Sequence, residues 1–416
     1  MALYALFLSN AVSLLGNVFA SIALPWFVLV TTGSAARTGL MAFVTTAPYA
    51  LGAIFGGTIV DRVGPRRASI LSDVASGLAV AAIPILYAVG ELRFWQLLVL
   101  GFAGALLDAP GSAARLALVP DLAARAGMAL ERANSIYRGA EHTGYLVGAP
   151  LAGLLIAGFG APNALWVDVA SFAVSALAFA VAVPALHPPV KTGRAYLREV
   201  VDGLRFIRRE PVVRVFLVIP MLGNFVTSPL APVILPVYAR EIFGSAASLG
   251  VMIAAYGAGG ILGAALFGLL GPRVSRRRAY VATWIGHMSL VSVFVWTPPL
   301  AVTVATLFLV GVVGGALVPL EHTVRQERTP PELRARVFST VFAADMLAGP
   351  PGALVAGVAI QSFGLRPVLV AFVLLTATLT VWAVVTPAAR AIERSDATNR
   401  PDARPRGREP TLIERS

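Results

Sequence analysis

Residues 56–67 read Gly56-Gly57-Thr58-Ile59-Val60-Asp61-Arg62-Val63-Gly64-Pro65-Arg66-Arg67. An apolar run closes in small residues, and a carboxylate and a block of arginines follow at once. This is how a membrane-crossing helix ends at a surface rich in basic residues, because lipid tolerates the apolar run and water takes the charges. Upstream, 38–60 is a span of this kind, and downstream 69–89 is another.

Working outward, the pattern fills the 416-residue chain. Of these residues 57% are hydrophobic and 13% charged. A soluble domain carries about 25% charged residues, so this chain lacks a polar coat for facing water on all sides. A spanning helix takes about 20 apolar residues, and twelve segments meet that length. They fall near 3–30, 38–60, 69–89, 94–117, 130–158, 163–186, 212–239, 245–270, 279–297, 299–321, 336–362 and 366–388. None shows the alternating polarity of a membrane barrel strand. The predicted fold is an all-α membrane protein of twelve transmembrane helices. The first run begins at Met1 without a basic leader, so a cleavable signal peptide is not expected.

Basic residues set the expected orientation. Arg62, Arg66 and Arg67 follow helix 2; Arg273, Arg276, Arg277 and Arg278 follow helix 8; Lys191, Arg194, Arg198, Arg205, Arg208 and Arg209 occupy the middle connection. The opposite loops hold Arg37, Arg93, Arg240 and Arg366, one apiece. Both termini are therefore expected on the cytoplasmic side of a cell membrane. The net charge of +12 comes from these short blocks, which argues against a nucleic-acid partner.

The chain repeats itself. Leu15-Gly16-Asn17 recurs as Leu222-Gly223-Asn224, Pro25 as Pro232, Gly57 with Arg66-Arg67-Ala68 as Gly268 with Arg277-Arg278-Ala279, and Gly148-Ala149-Pro150 as Gly349-Pro350-Pro351. All offsets lie between 201 and 211 residues. Two six-helix pseudo-symmetric halves follow, 1–186 and 212–390, joined by a connection over 187–211 and trailed by a disordered cytoplasmic tail over 391–416. In the connection, Leu197, Val200, Val201, Leu204 and Ile207 share one helical face. Such a helix either lies along the membrane or packs under the bundle.

Parallel repeats with a site between them at the midplane describe the major facilitator fold, and particular residues carry a resemblance to that superfamily. The stretch from Gly57 through Asp61, Arg62, Gly64, Arg66 and Arg67 resembles its signature Gly-x-x-x-Asp-Arg-x-Gly-Arg-Arg, with Pro65 where a basic residue is usual. The resemblance implies a cytoplasmic gate in which Asp61 latches onto helix 11; the plain alternative is a solvated turn. In helix 5, Gly144, Gly148, Pro150 and Gly153 are similar to the glycine–proline pattern of drug–proton antiporters, with the proline shifted by one. Tight helix packing alone would use the same residues. Arg132-Ala133-Asn134-Ser135, Asp168-Val169-Ala170-Ser171-Phe172, Gly203 to Pro211 and Pro331 to Val337 resemble the branch of macrolide-efflux proteins and enterobactin-type exporters.

Ionisable groups inside a bilayer are costly and therefore functional candidates. They are Asp108 in helix 4, Glu141 and His142 in helix 5, Glu321 and His322 in helix 10, and Asp345 in helix 11. Proton-coupled export needs a carboxylate that alternates between a proton and a counter-charge. Glu141, Asp108 and Glu321 are the candidates, the first two because the family's substrate path runs beside helices 4 and 5. Arg115 and Arg138 offer the structural alternative of fixed ion pairs, and a gate or loop salt bridge is the alternative for Glu321. Asp168 reads as a structural contact near the outer end of helix 6. Asn17 and Asn224, matched in the two halves, are cavity candidates or interhelical hydrogen-bonders.

No metalloprotease motif, phosphate loop or nucleophile elbow is present, and there is no cysteine. Catalytic residues, metal and cofactor are thus expected to be absent, with the proton gradient as energy source. The resulting expectation is an exporter of small amphiphilic compounds, with lipid and protons as its other partners, working as a monomer. An importer of the same fold and a transporter-like sensor are the alternatives.

Overall fold

The computed structural model describes residues 1–184 and 205–386. Within its helices, the side chains of 50–58, 61, 131, 138, 141–143, 145, 272, 331, 332, 335, 336, 339 and 342 are outside the description. Twelve long helical segments follow one another: α1 (Ala2–Thr32), α2 (Ala35–Val63), α3 (Pro65–Ala88), α4 (Phe94–Arg125), α5 (Leu130–Phe159), α6 (Ala161–Ala182), α7 (Pro211–Phe243), α8 (Ala246–Leu270), α9 (Arg276–Trp296), α10 (Leu300–Arg328), α11 (Pro331–Phe363) and α12 (Leu365–Val385). Among the described residues, ten helices are long and apolar enough to cross a membrane, and Leu146–Phe159 of α5 is a shorter apolar stretch. Successive helices run in opposite directions. The end where α1 begins is called here the near end, and the end where it finishes the far end.

Single residues turn the chain. Gly64 (φ 86°, ψ 144°) separates α2 from α3, whose first residue is Pro65. Proline suits that position because the missing N–H would be unpaired there anyway. Arg66 and Arg67 thereby belong to the first turn of α3, whereas the linear pattern leaves them in a loop. The Arg66 guanidinium donates to the carbonyls of Val183 and Ala180, closing the C-terminal end of α6, where a cation suits the free carbonyls. Gly160 (φ 81°, ψ 154°) and Gly364 (φ 84°, ψ 167°) join α5 to α6 and α11 to α12. Both lie in a backbone region essentially closed to other residues, and they are 204 residues apart, within the spacing of the repeats.

Two helices run well past their expected ends, and a third is irregular. α4 continues to Arg125 and α10 to Arg328, because their polar last turns stay helical after the apolar run is over. α7 holds π-helical turns over Leu230–Ile234 and Ala239–Phe243, in a stretch where Pro229, Pro232 and Pro236 interrupt the regular ladder. Of the middle connection, 205–209 is helical. Ile207 is buried against Val213, Leu217, Val337 and Val341, so this last turn packs under the bundle. Residues 185–204, including Leu197, Val200, Val201 and Leu204, lie outside the described residues, as does the tail.

The apolar cores show how the halves meet. At the far end one cluster joins both: Val18 to Leu29, Ala149, Ala152 and Ile156 pack with Leu230 to Ala239, Leu249, Ala353 and Ile360. At the near end, among the described residues, each cluster stays within one half. Leu3, Leu6, Leu118 and Phe179 belong to one, and Phe216, Tyr280, Trp284 and Leu320 to another. Among the described residues, the two halves share an apolar core at the far end and have separate cores at the near end.

Candidate functional site: a polar cavity between the halves

At mid-height, bounded by the shared far-end core, lies a cavity of about 440 Å³. The first half lines it with Asn17, Tyr49, Asp108 and Asp168, and the second with Asn224 and Asp345, among others.

Two glycine crossings close it toward the far end. A Cβ at Gly39 of α2 would lie 2.6 Å from the Ala353 carbonyl oxygen and 2.9 Å from Gly357 Cα of α11. A Cβ at Gly153 of α5 would lie 2.8 Å from the Ala246 carbonyl oxygen and 2.8 Å from Gly250 Cα of α8. Only glycine permits such approach between backbones. Arg240 Nη1 also donates to the Leu29 carbonyl at 2.9 Å, tying α7 to the end of α1.

Behind the first-half wall sits a buried ionic network. Arg115, 1% exposed, donates from Nη1 to Asp73 Oδ1 at 2.9 Å and from Nη2 to Asp108 Oδ1 at 3.4 Å. Nη2 also reaches Ser13 Oγ and Ser112 Oγ, at 3.4 and 3.3 Å. Asp73 Oδ2 accepts from Ser175 Oγ at 2.6 Å, and Ser175 Oγ is in turn 2.6 Å from Ser9 Oγ. Asp108 Oδ2 accepts from Asn17 Nδ2 at 3.0 Å and from the Tyr49 hydroxyl at 3.3 Å. Burying charges this deeply is tolerable only when they are paired and hydrogen-bonded. Gly111 lets α4 approach α3 beside this network, since a Cβ there would lie 2.8 Å from Ser72 Cβ.

The second-half wall is less satisfied. Asn224 Nδ2 donates to the Asp345 backbone carbonyl at 2.5 Å, while Asp345 Oδ1 is buried with no hydrogen-bond partner among the described residues. Asp168, at the cavity edge, accepts from Ser171 Oγ at 3.4 Å and fits there because Gly16 leaves the space. It is therefore both the structural contact expected from the sequence and part of the lining.

The candidates thus separate. Asp108, Asn17 and Asn224 come together around the cavity. Glu321 is not among its lining residues: with α10 running on to Arg328, it lies 4% exposed inside the helix, and Oε2 meets Arg325 Nη2 one turn later at 3.4 Å. Removing the cation would strand that carboxylate, so Arg325→Ala is expected to cost about 3–5 kcal/mol, read as a fall in the thermal midpoint of the detergent-solubilised protein. Gly57 and the side chains of Asp61 and Glu141 lie outside the described ones. Arg62 and Arg67 are exposed. In the helix 5 pattern, Gly144 and Gly148 face α1, and Gly153 makes the crossing with α8. Neither Pro150 nor its repeat mate Pro351 is among the lining residues, whereas Pro350, the mate of Ala149, is. Asp73 is the residue missed by the linear reading. A carboxylate inside the span 69–89 was the available signal; its partners, 42 and 102 residues away, were not legible.

A helical membrane bundle with a polar cavity shared by repeated halves is a transporter rather than an enzyme. This chain belongs to the Major Facilitator Superfamily, whose family model matches residues 6–244 and 223–412. It is 33% identical over 386 residues to the multidrug efflux pump Tap of Mycolicibacterium fortuitum, covering 91% of this chain and 94% of that one. It is 25% identical over 337 residues to the enterobactin exporter EntS of Escherichia coli, covering 81% and 80%. Among solved structures, a point mutant of the nucleoside transporter NupG superposes with a TM-score of 0.79 at 11% identity, covering 95% of this chain and 100% of that one. A bacterial homologue of the lysosomal transporter Spinster gives 0.75 at 15%, covering 95% and 98%. At such identities these two speak for the fold alone.

Proposed function

We infer that the protein is a proton-coupled exporter of small amphiphilic compounds, drug-, macrolide- or siderophore-like, working by alternating access in the cytoplasmic membrane with both termini inside. The observation that carries this reading is the cavity itself. It is built by both halves, closed at the far end by backbone crossings, and faced by carboxylates with different degrees of pairing. With the near end cytoplasmic, as the arginine blocks favour, this arrangement is the inward-open state of the cycle. Asp108 takes the coupling role, because it reaches the cavity and also touches a buried cation. Glu321, paired within its own helix, is the weaker candidate. One chain contains the whole cavity, which supports function as a monomer. The likeness to Tap and EntS supports the outward direction.

The test is accumulation of dyes, macrolides and siderophores in a pump-deficient bacterial host, with and without a protonophore. Lower accumulation that the protonophore abolishes is the expected result. Higher accumulation of any compound would overturn the direction.

A further inference from the structure

Arg115 stands between two carboxylates, and all three groups are at most 1% exposed. One guanidinium balances one carboxylate. With both acids ionised, the network carries one uncompensated negative charge in a setting where such a charge is costly; with one proton bound it is neutral. The two acids are not equivalent. Both have their two oxygens hydrogen-bonded, but Asp73 is held by shorter contacts, Arg115 at 2.9 Å and Ser175 at 2.6 Å, and it is not among the residues lining the cavity. Asp108 lines the cavity and holds Arg115 more loosely, at 3.4 Å.

We propose that Asp73, Arg115 and Asp108 form a one-proton store, in which Asp73 acts as the positioning residue that makes Asp108 able to take the proton. When the proton binds Asp108, the guanidinium pairs wholly with Asp73. When it leaves toward the cavity, Arg115 is shared between both carboxylates, and the excess negative charge faces the cavity at Asp108. No covalent bond changes other than the O–H bond made and broken at the Asp108 carboxyl. Around the network α1 contributes the neutral Ser9, Ser13 and Asn17. Among described side chains, the other titratable groups facing it are Tyr49 from α2, Tyr137 from α5 and Asp168 from α6. The proposal rests on Asp108 being the coupling carboxylate, and it adds that a residue away from the cavity decides whether coupling occurs.

Charge counting gives an unusual pattern of variants. Asp73→Asn leaves Arg115 and Asp108 as a balanced pair that needs no proton. Arg115→Gln leaves two acids without a cation, so a proton is held more firmly. Asp73→Asn with Arg115→Gln leaves one buried acid and restores a one-proton site. Infrared difference spectra of the full-length protein in liposomes, taken between alkaline and mildly acidic buffer, read protonated carboxyl groups directly and need no transported compound. The wild-type protein should show a buried carboxyl band that Asp108→Asn removes. Asp73→Asn should remove the same band although Asp108 is intact, and the double variant should bring it back. Misfolding cannot produce loss in the single variant and recovery in the double. A band that survives Asp73→Asn, or that stays absent in the double variant, overturns the proposal. If the band follows the pattern while cells show no protonophore-sensitive efflux, the store stands and the export reading fails.

Discussion

Asp108→Asn is expected to abolish active export while leaving the protein in the membrane. Asparagine keeps the volume and can still contact Asn17, Tyr49 and Arg115, which hold the native carboxylate. It cannot alternate between a proton and a counter-charge. Arg115 would keep Asp73 at 2.9 Å as its balanced partner, so the buried network would be neutral in every step of the cycle. Protonophore-sensitive efflux should therefore fall to background. Downhill movement of preloaded dye should persist, because the volume of the cavity and the far-end crossings are unchanged. Loss of both movements would mark Asp108 as structural. Retention of both would remove it from coupling.

The second large effect concerns the far-end crossings. Leucine at Gly153 would drive its Cβ to 2.8 Å from the Ala246 carbonyl oxygen, and a backbone atom in a packed helix cannot rotate aside as a side chain can. Overpacking of this kind typically costs about 1–3 kcal/mol. Here the cost falls on the state in which the far end is closed, and it is relieved when the halves part there. Gly153→Leu should therefore shift the population toward far-end opening and reduce turnover to background. The chain has no cysteine, so a single Ser228→Cys in the cavity lining reports the shift through an impermeant thiol reagent applied from the far side. Labelling should rise about tenfold, the factor that about 1.4 kcal/mol produces in a two-state equilibrium. Gly39→Leu should act alike through Ala353 and Gly357. Gly158→Ala, with nothing within 4 Å of the added carbon, should do neither. Unchanged labelling in Gly153→Leu would mean that the crossing is not a gate.

Much of this was legible in the linear sequence, for a physical reason. Lipid imposes long apolar runs, so the helices announce themselves, and duplication leaves paired signals such as Asn17 and Asn224. Both asparagines line the cavity. What stayed hidden depends on pairing across helices. Asp73 sits in an apolar stretch, and its importance comes from a guanidinium 42 residues on. Arg115 was visible as a possible partner for a carboxylate, but not as one shared by two. Hydropathy also ended helix 10 at Glu321, because the following residues are polar. The helix runs on to Arg328 and brings Arg325 over that carboxylate, so the salt bridge is buried within one helix rather than in a gate or loop. Gly153 was visible as a small residue in a glycine pattern. That it crosses α8 while Gly144 and Gly148 face α1 is a matter of helix rotation, which spacing alone does not fix.

Coupled transport by the purified protein is the most direct test of proton-driven export. The full-length chain is placed in liposomes with the fluorescent cation ethidium at equal concentration inside and out, and a proton gradient of either sense is imposed. Ethidium should move against its own gradient and opposite to the proton, stop on adding a protonophore, and be unresponsive in Asp108→Asn. Movement in the same direction as the proton, or at one rate whatever the gradient, would contradict it.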